Sequence, residues 1–323
     1  MRGELSVNDT ADRSARQRAA RWGALPTEAR NPASEELDTL TSVEVVSLLL
    51  NEDRRGLEAA LKSREPIAEA AEWVAETLDG GGRVFLAGAG TSGRLGVLEA
   101  AECPPTFGTD PEWIRAVMAG GREAVFEARE GAEDIFEDGS EAVQGMAAGD
   151  LLIAISASSV TPYVLGALES ARKRGARTVL LTCTSSVDPM DVADLVLALD
   201  TGPEVLTGST RLKAASATKA VLNAITTTAM VRLGKVYGNL MVDLRPNSAK
   251  LQDRSLRIVE AAAEVSRDVA ERLLDMANGE VKTAIVMALG ATDAGKARER
   301  LRAAGGHVRR ALDDAPATGE RHG

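Results

Sequence analysis

Residues 88–93 read Gly88-Ala89-Gly90-Thr91-Ser92-Gly93 and follow the apolar run Val84–Ala87. A glycine-spaced turn between a strand and a helix turns backbone amides toward a phosphate, and this spacing fits the dinucleotide pattern G-x-G-x-x-G. That pattern also needs a carboxylate at the end of the next strand, where it would hold the ribose hydroxyls. The next candidate strand ends in Val117-Met118-Ala119-Gly120-Gly121, with no acid at its tip, so NAD is disfavoured. Thr91 and Ser92 bring hydroxyls instead, which suits a phosphate monoester. A glycine turn needed only for packing is the competing reading.

A second hydroxyl-rich loop, Ser156-Ala157-Ser158-Ser159-Val160-Thr161-Pro162, follows the apolar run Leu151–Ile155. Thr161 before Pro162 predicts an N-cap with proline at the first helical position, and the serines would project onto the positive end of that helix. One capped helix start explains either loop alone. Two such loops, each after a parallel strand, favour a shared phosphate, and a sugar phosphate over a dinucleotide.

Phosphate binding holds a substrate without transforming it, so an acid or base is needed as well. The two histidines, His307 and His322, both lie near the C-terminus and make no pair with these loops. Carboxylates are left. Glu102 stands in Glu99-Ala100-Ala101-Glu102-Cys103-Pro104-Pro105, expected on the last helical turn before two prolines end the helix. Glu133 stands in Glu130-Gly131-Ala132-Glu133-Asp134, expected in a short helical stretch after the second strand. Composition does not raise either above the other acids, for which a solvated surface charge is the ordinary state. Cys103 reads as a buried thiol, since no histidine is placed to activate it.

The elements that must hold these residues follow from periodicity. Helical patterning begins at Thr27, with a second amphipathic stretch from Pro66 to Leu78 that Gly80-Gly81-Gly82 stops. Short apolar runs then alternate with helical patterns: Val84–Ala87, Ile114–Ala119, Leu151–Ile155, Thr178–Thr182 and Leu195–Leu199, with Pro162–Arg174 as one of the helices between. This predicts a three-layer α/β fold, a parallel sheet covered on both faces, with ligands at the carboxyl ends of the strands. A long, weakly charged helix from Ala214 to Leu233 suggests a buried or dimer-forming element, and everything from Lys250 onward reads as helical. The expected division is a disordered tail at 1–24, N-terminal helices at 25–80, a sugar-phosphate domain at 81–245, a small helical domain at 246–312 and a polar tail at 313–323.

Composition narrows the class of protein. The 323 residues are 44% apolar and carry 38 basic against 48 acidic side chains, a net charge of −10. No basic patch interleaved with aromatics occurs, and aromatics are only 3%, so nucleic acid is not an expected partner. No apolar run reaches 18 residues and no apolar segment opens the chain, so neither a membrane span nor a secretory signal is expected. With two cysteines and two histidines, neither a Cys/His zinc cluster nor a disulfide framework is expected, and a cytoplasmic location is the expectation.

Longer motifs carry a resemblance. Gly88-Ala-Gly-Thr-Ser-Gly-Arg-Leu-Gly96 followed by Glu102-Cys-Pro-Pro-Thr106 resembles the N-acetylmuramic acid 6-phosphate etherase family of the sugar isomerase (SIS) superfamily. So do Thr27-Glu-x-Arg30-Asn31-Pro32, Glu204-Val-Leu-Thr-Gly-Ser-Thr-Arg-Leu-Lys213, Gly234-Lys-Val-Tyr-Gly-Asn-Leu-Met-Val-Asp243 and Lys282-Thr-Ala-Ile-Val-Met287, so that the likeness runs from about Thr27 to Leu312. The resemblance implies a cofactor-free, metal-free lyase that cleaves the D-lactyl ether of N-acetylmuramic acid 6-phosphate by elimination and hydration, in cell-wall amino sugar recycling. It implies Glu102 and Glu133 as the catalytic carboxylates and Ser92, Ser156, Ser158, Ser159 and Thr161 as phosphate ligands. Gly90, Thr91, Gly93 and Lys213 are further substrate-binding candidates, and a homodimer with sites near the subunit boundary is implied.

The second loop departs from the family's usual Ser-Gly-Arg-Thr-Pro, with Ser159 and Val160 where glycine and arginine are usual. Ala215 likewise stands at a usual glycine. The Ser159 change restricts the turn to φ values a serine tolerates, and the Val160 change removes a fixed charge. Two other activities stay compatible with these residues: a non-catalytic sugar-phosphate-binding regulator, and an aldose–ketose sugar phosphate isomerase that shares proton abstraction at C2.

Overall fold

A computed structural model of the chain describes residues 25–185, 192–244 and 249–313. The expected tails, at 1–24 and beyond Asp313, lie outside the described residues, and so does His322.

The N-terminal region differs from the helix expected at Thr27. Three short 3-10 turns, Pro26–Glu28, Pro32–Ser34 and Leu37–Thr39, come first. Pro26 and Pro32 open two of them, positions where a missing amide costs no hydrogen bond, and the Asn31 side chain accepts from the Ala33 amide. Regular helix begins with α1 (Ser42–Lys62), whose Thr41 and Glu44 form a reciprocal capping box. Helix α2 (Arg64–Asp79) ends at Gly80, and Gly81 takes φ +80° in the turn into the sheet.

Five parallel strands follow: β1 (Val84–Gly88), β2 (Ile114–Met118), β3 (Leu151–Ile155), β4 (Arg177–Thr182) and β5 (Leu195–Ala198), in the spatial order β2-β1-β3-β4-β5. Strands β1 and β3 are buried along their whole length, as their unbroken apolar sequences require of a sheet covered on both faces. Strand β2 lies at the edge and exposes Arg115. Alternate residues feed two cores. Leu86, Ile153, Ile155 and Leu181 pack with α2, with α3 (Gly90–Phe107) and with α6 (Lys213–Arg232). Phe85, Leu152, Ala154 and Leu180 face α5 (Pro162–Lys173), behind which lies the short α4 (Phe136–Ala142).

A two-stranded hairpin, β6 (Val236–Tyr237) and β7 (Leu240–Met241), leads to the C-terminal helices α7 (Ala249–Ala263), α8 (Arg267–Met276), α9 (Val281–Leu289), α10 (Ala294–Ala303) and α11 (Val308–Asp313). These close a core of their own around Val259, Ile285, Val286 and Val308. His307 directly precedes the last helix, and the Ala311 amide bonds to its carbonyl.

Candidate active site

The strand order reverses direction between β1 and β3, and the two hydroxyl loops are the segments that leave these two strands. Gly88 pairs with Ile155 at the carboxyl end of the sheet, so Ala89–Gly93 and Ser156–Thr161 rise side by side. In an open parallel sheet this switch point is where the connections diverge and leave a crevice for a ligand.

The glycines of the first loop divide into two roles. Gly90 takes φ +52° and faces open space, so its backbone is free to approach a ligand. Gly93 is buried, and a Cβ there would lie 2.6 Å from Met118 Cγ and 2.7 Å from the Gly88 carbonyl oxygen. It lets α3 sit against β1 and β2, which is a packing role. No side chain caps α3 at Ala89, so its first amides keep free donors at the positive end of the helix. Thr91 and Ser92 are half-buried beside them.

In the second loop the expected cap at Thr161 takes another form. Pro162 does occupy the first turn of α5, but the Thr161 side chain makes no bond to the helix amides. Its hydroxyl lies 2.9 Å from that of the buried Ser156, an alternative to the cap that fixes the two hydroxyls together. Ser159 holds φ +64°, and its hydroxyl bonds back to the Ser158 carbonyl. The turn therefore keeps the left-handed backbone that glycine would adopt freely, while a serine occupies it.

Glu133 stands exposed on a 3-10 turn, Ala132–Asp134, and lines a cavity of about 170 Å³ together with Gly90, Arg94 and Met118. Arg94 was absent from the sequence-derived candidates, although it stands inside the glycine motif two residues after Ser92. Its guanidinium donates to the carbonyls of Val125 (2.8 Å) and Ala124 (2.7 Å), which pins the segment leading to Glu133 against α3.

Glu102 is not gathered into this cavity. It lies ten residues beyond Ser92 on α3, roughly 15 Å along the axis at 1.5 Å per residue, on an exposed face. The helix also does not end before the prolines: it continues through Pro104 and Pro105 to Phe107 and closes at Gly108 (φ +62°), whose amide bonds to the Pro104 carbonyl. Packing of Cys103 and Phe107 into the core holds this last turn in place of the two missing amides. One turn earlier, Glu99 is buried and accepts a hydrogen bond from the Thr226 hydroxyl, and burial raises its carboxyl above the ordinary range against that bond. Burial, helped by the neighbouring Glu99, pushes the Cys103 thiol up to about 12, which agrees with an inert structural thiol.

Lys213 sits at the start of α6 with 3% of its side chain exposed. Its ammonium lies 2.6 Å from Glu52 Oε2 and 2.8 Å from the Pro203 carbonyl, and Asn31 donates to the same Glu52 oxygen. Burial opposes ionisation of Glu52, and the bonds from Lys213 and Asn31 outweigh it, leaving the carboxyl below its usual range. Glu204, also buried, accepts from the amides of Lys213 and Ala214 and so caps α6. The polar ends of two motifs, Asn31 and Lys213, thus meet on Glu52 in the interior; no local signal in either motif indicates that pairing.

The sheet order is that of a doubly wound α/β protein with a ligand crevice at its switch point, and the SIS-domain class is the one its family matches give. A family model described as the SIS domain matches residues 131–228, and one described as the glucokinase regulatory protein N-terminal SIS domain matches residues 66–172. Phosphoheptose isomerase from Neisseria gonorrhoeae superposes with a TM-score of 0.42 at 23% identity, over 58% of this chain and 97% of that chain. Among sequences, the N-acetylmuramic acid 6-phosphate etherase of Cutibacterium acnes is 48% identical across 89% of this chain and 95% of its own length. The protein of the same name from Rubrobacter xylanophilus is 49% identical across 91% and 98%. The chain belongs to the N-acetylmuramic acid 6-phosphate etherase family.

Proposed function

We propose that this protein cleaves the D-lactyl ether of N-acetylmuramic acid 6-phosphate to N-acetylglucosamine 6-phosphate and D-lactate. The observation that carries the reading is the meeting of two hydroxyl loops at the switch point of a chain nearly half identical to etherases over its length. The phosphate is held by the amides and hydroxyls of Gly90, Thr91 and Ser92 on one side and by Ser156, Ser158, Ser159 and Thr161 on the other. In the open-chain aldehyde the C2 proton is acidic. A carboxylate takes it, the C3–O bond breaks, and its electron pair leaves with the lactate oxygen, which takes up a proton. Water then adds across C2=C3, returning hydroxyl to C3 and a proton to C2. Glu102 and Glu133 are the two carboxylates assigned to these transfers.

We also propose that the working unit is a homodimer. A cavity of about 170 Å³ is small beside the roughly 300–1,000 Å³ of typical small-molecule sites, and Glu102 lies outside it. Both facts support a site completed by Glu102 from a second copy. Helix α1 supports the pairing with an unpartnered apolar stripe, Val43, Val46, Leu50, Leu57 and Leu61, exposed by 47–75%. A cytoplasmic setting suits the two free, buried thiols. In this division residues 81–245 carry the substrate site and 246–312 form the helical unit beside it.

The test is a lactate-coupled assay on the purified protein with muramic acid 6-phosphate. Lactate release that Glu102→Gln abolishes is the expected result. Isomer interconversion without lactate, or tight binding without turnover, would overturn the lyase reading.

A further inference from the structure

A concentration of positive charge faces a cavity away from the hydroxyl loops. A cleft of about 520 Å³ opens between the C-terminal helices and the amino end of the sheet, bounded by Gly108 on one side and by the first turn of α9 on the other. Lys235, which lines it, stacks over Trp113 at 5.2 Å, just before β2 begins. The Glu133 cavity touches Met118 at the opposite end of the same strand, so about 13 Å of strand separates the two.

Six ionised side chains face the cleft: Lys235, Lys282, Arg298 and Arg302 against Asp243 and Glu280. Lys235 Nζ (2.9 Å) and Lys282 Nζ (2.7 Å) both converge on the same oxygen of Asp243. One carboxylate therefore serves two ammonium groups that are 16% and 12% exposed. Arg298 is matched by Glu280 at 2.8 Å, while Arg302 forms no ion pair among the described residues. The balance is four positive against two negative, in a chain whose net charge is −10. Glu280 also gives its carboxylate to Thr283 and Arg298, so no side chain caps the amides that open α9.

We infer that this cleft is a second anion site, fitted to a phosphate monoester or a dianion of similar size, that clamps the helical unit to the sheet. Of the two unmatched positive charges, one belongs to the nearly buried Lys235–Lys282 pair and is costly until an anion neutralises it, while the exposed Arg302 adds a second charge at the rim. The cleft volume admits a sugar phosphate. Asp243 is the internal rival of that anion, because it pairs with both ammonium groups. The site is independent of the proposed reaction, which uses the other end of the sheet.

Calorimetric titration of the full chain with N-acetylglucosamine 6-phosphate and, separately, inorganic phosphate tests the inference. Carried out on a Ser92→Ala, Ser156→Ala variant that weakens the loop site, it is expected to show one remaining equivalent per chain, weaker at high salt. Arg302→Ala removes an exposed, unpaired charge with little risk to folding and should weaken that equivalent about tenfold, the worth of one charge-assisted contact. Asp243→Asn should tighten it, a change of sign that a purely structural ion network would not produce. Binding of both probes would show that the phosphate alone is recognised, and binding of the sugar ester alone that the cleft reads the sugar too. Loss of all binding in the loop variant, or an affinity indifferent to both Arg302→Ala and Asp243→Asn, would overturn the inference.

Discussion

Lys213 and Glu52, 161 positions apart, form an ion pair with Nζ 2.6 Å from Oε2 in the interior where α1, α6 and the N-terminal segment meet. Removing one partner leaves the other charge buried. Lys213→Met or Glu52→Gln alone is expected to cost about 3–5 kcal/mol of folding stability. The double variant should cost much less than the sum, since no charge is then stranded. Chemical denaturation of the two single variants and the double measures this, and additive losses would show that the pair is not acting as a unit.

Ser159 holds a left-handed backbone at φ +64° in the second hydroxyl loop. Glycine adopts that conformation without the Cβ clash, so Ser159→Gly is expected to stabilise the fold by about 1 kcal/mol. A small rise in the denaturation midpoint with an unchanged slope would report it. Destabilisation would mean that the bond from the Ser159 hydroxyl to the Ser158 carbonyl outweighs the strain.

Glu102 lies outside the cavity that Glu133 lines, and the proposed dimer joins them across its boundary. A mixture of Glu102→Gln and Glu133→Gln proteins, each inactive alone, should then regain activity once protomers exchange. Each mixed dimer would hold one intact site, so about a quarter of wild-type activity is expected from random pairing of two variants in a symmetric dimer. No recovery after verified exchange would place both carboxylates in the same chain's site.

Glu99 has its carboxyl raised above the ordinary 4.5 by burial. Below that value it is protonated both folded and unfolded and takes nothing from stability. As pH rises, the unfolded chain ionises first, so stability falls through the window from 4.5 up to the folded value. Glu99→Gln escapes this loss. Its stability relative to wild type should therefore improve as pH rises from 4.5 and level off once the buried carboxyl of the folded protein has ionised. Denaturation curves across that range check the sign, and a difference independent of pH would refute it.

Much of the fold was legible along the chain. The five apolar runs became the five strands within a residue or two, because a strand buried on both faces must be continuously apolar. The helix-stopping glycines after α2 and the proline opening α5 did what their backbone chemistry dictates. Prolines were less decisive where packing opposed them. Pro104 and Pro105 lie inside α3, since the burial of Phe107 and the glycine turn at Gly108 hold the last turn together.

The site was legible only as a set of parts. Residue types and spacing determined that two loops could hold a phosphate and that no carboxylate was placed for a dinucleotide ribose, and only the longer motifs singled out Glu102 and Glu133. These are local properties, carried by a few neighbouring residues. Tertiary structure decided that the loops meet at the switch point, that Gly93 serves packing while Gly90 faces open space, and that Glu133 rather than Glu102 lines a cavity with Gly90 of the first loop. It also decided that Lys213 is spent on Glu52. Such outcomes depend on strand order and on which distant surfaces close over one another. That choice is made by burial summed over the whole chain, and no short stretch of residues carries it.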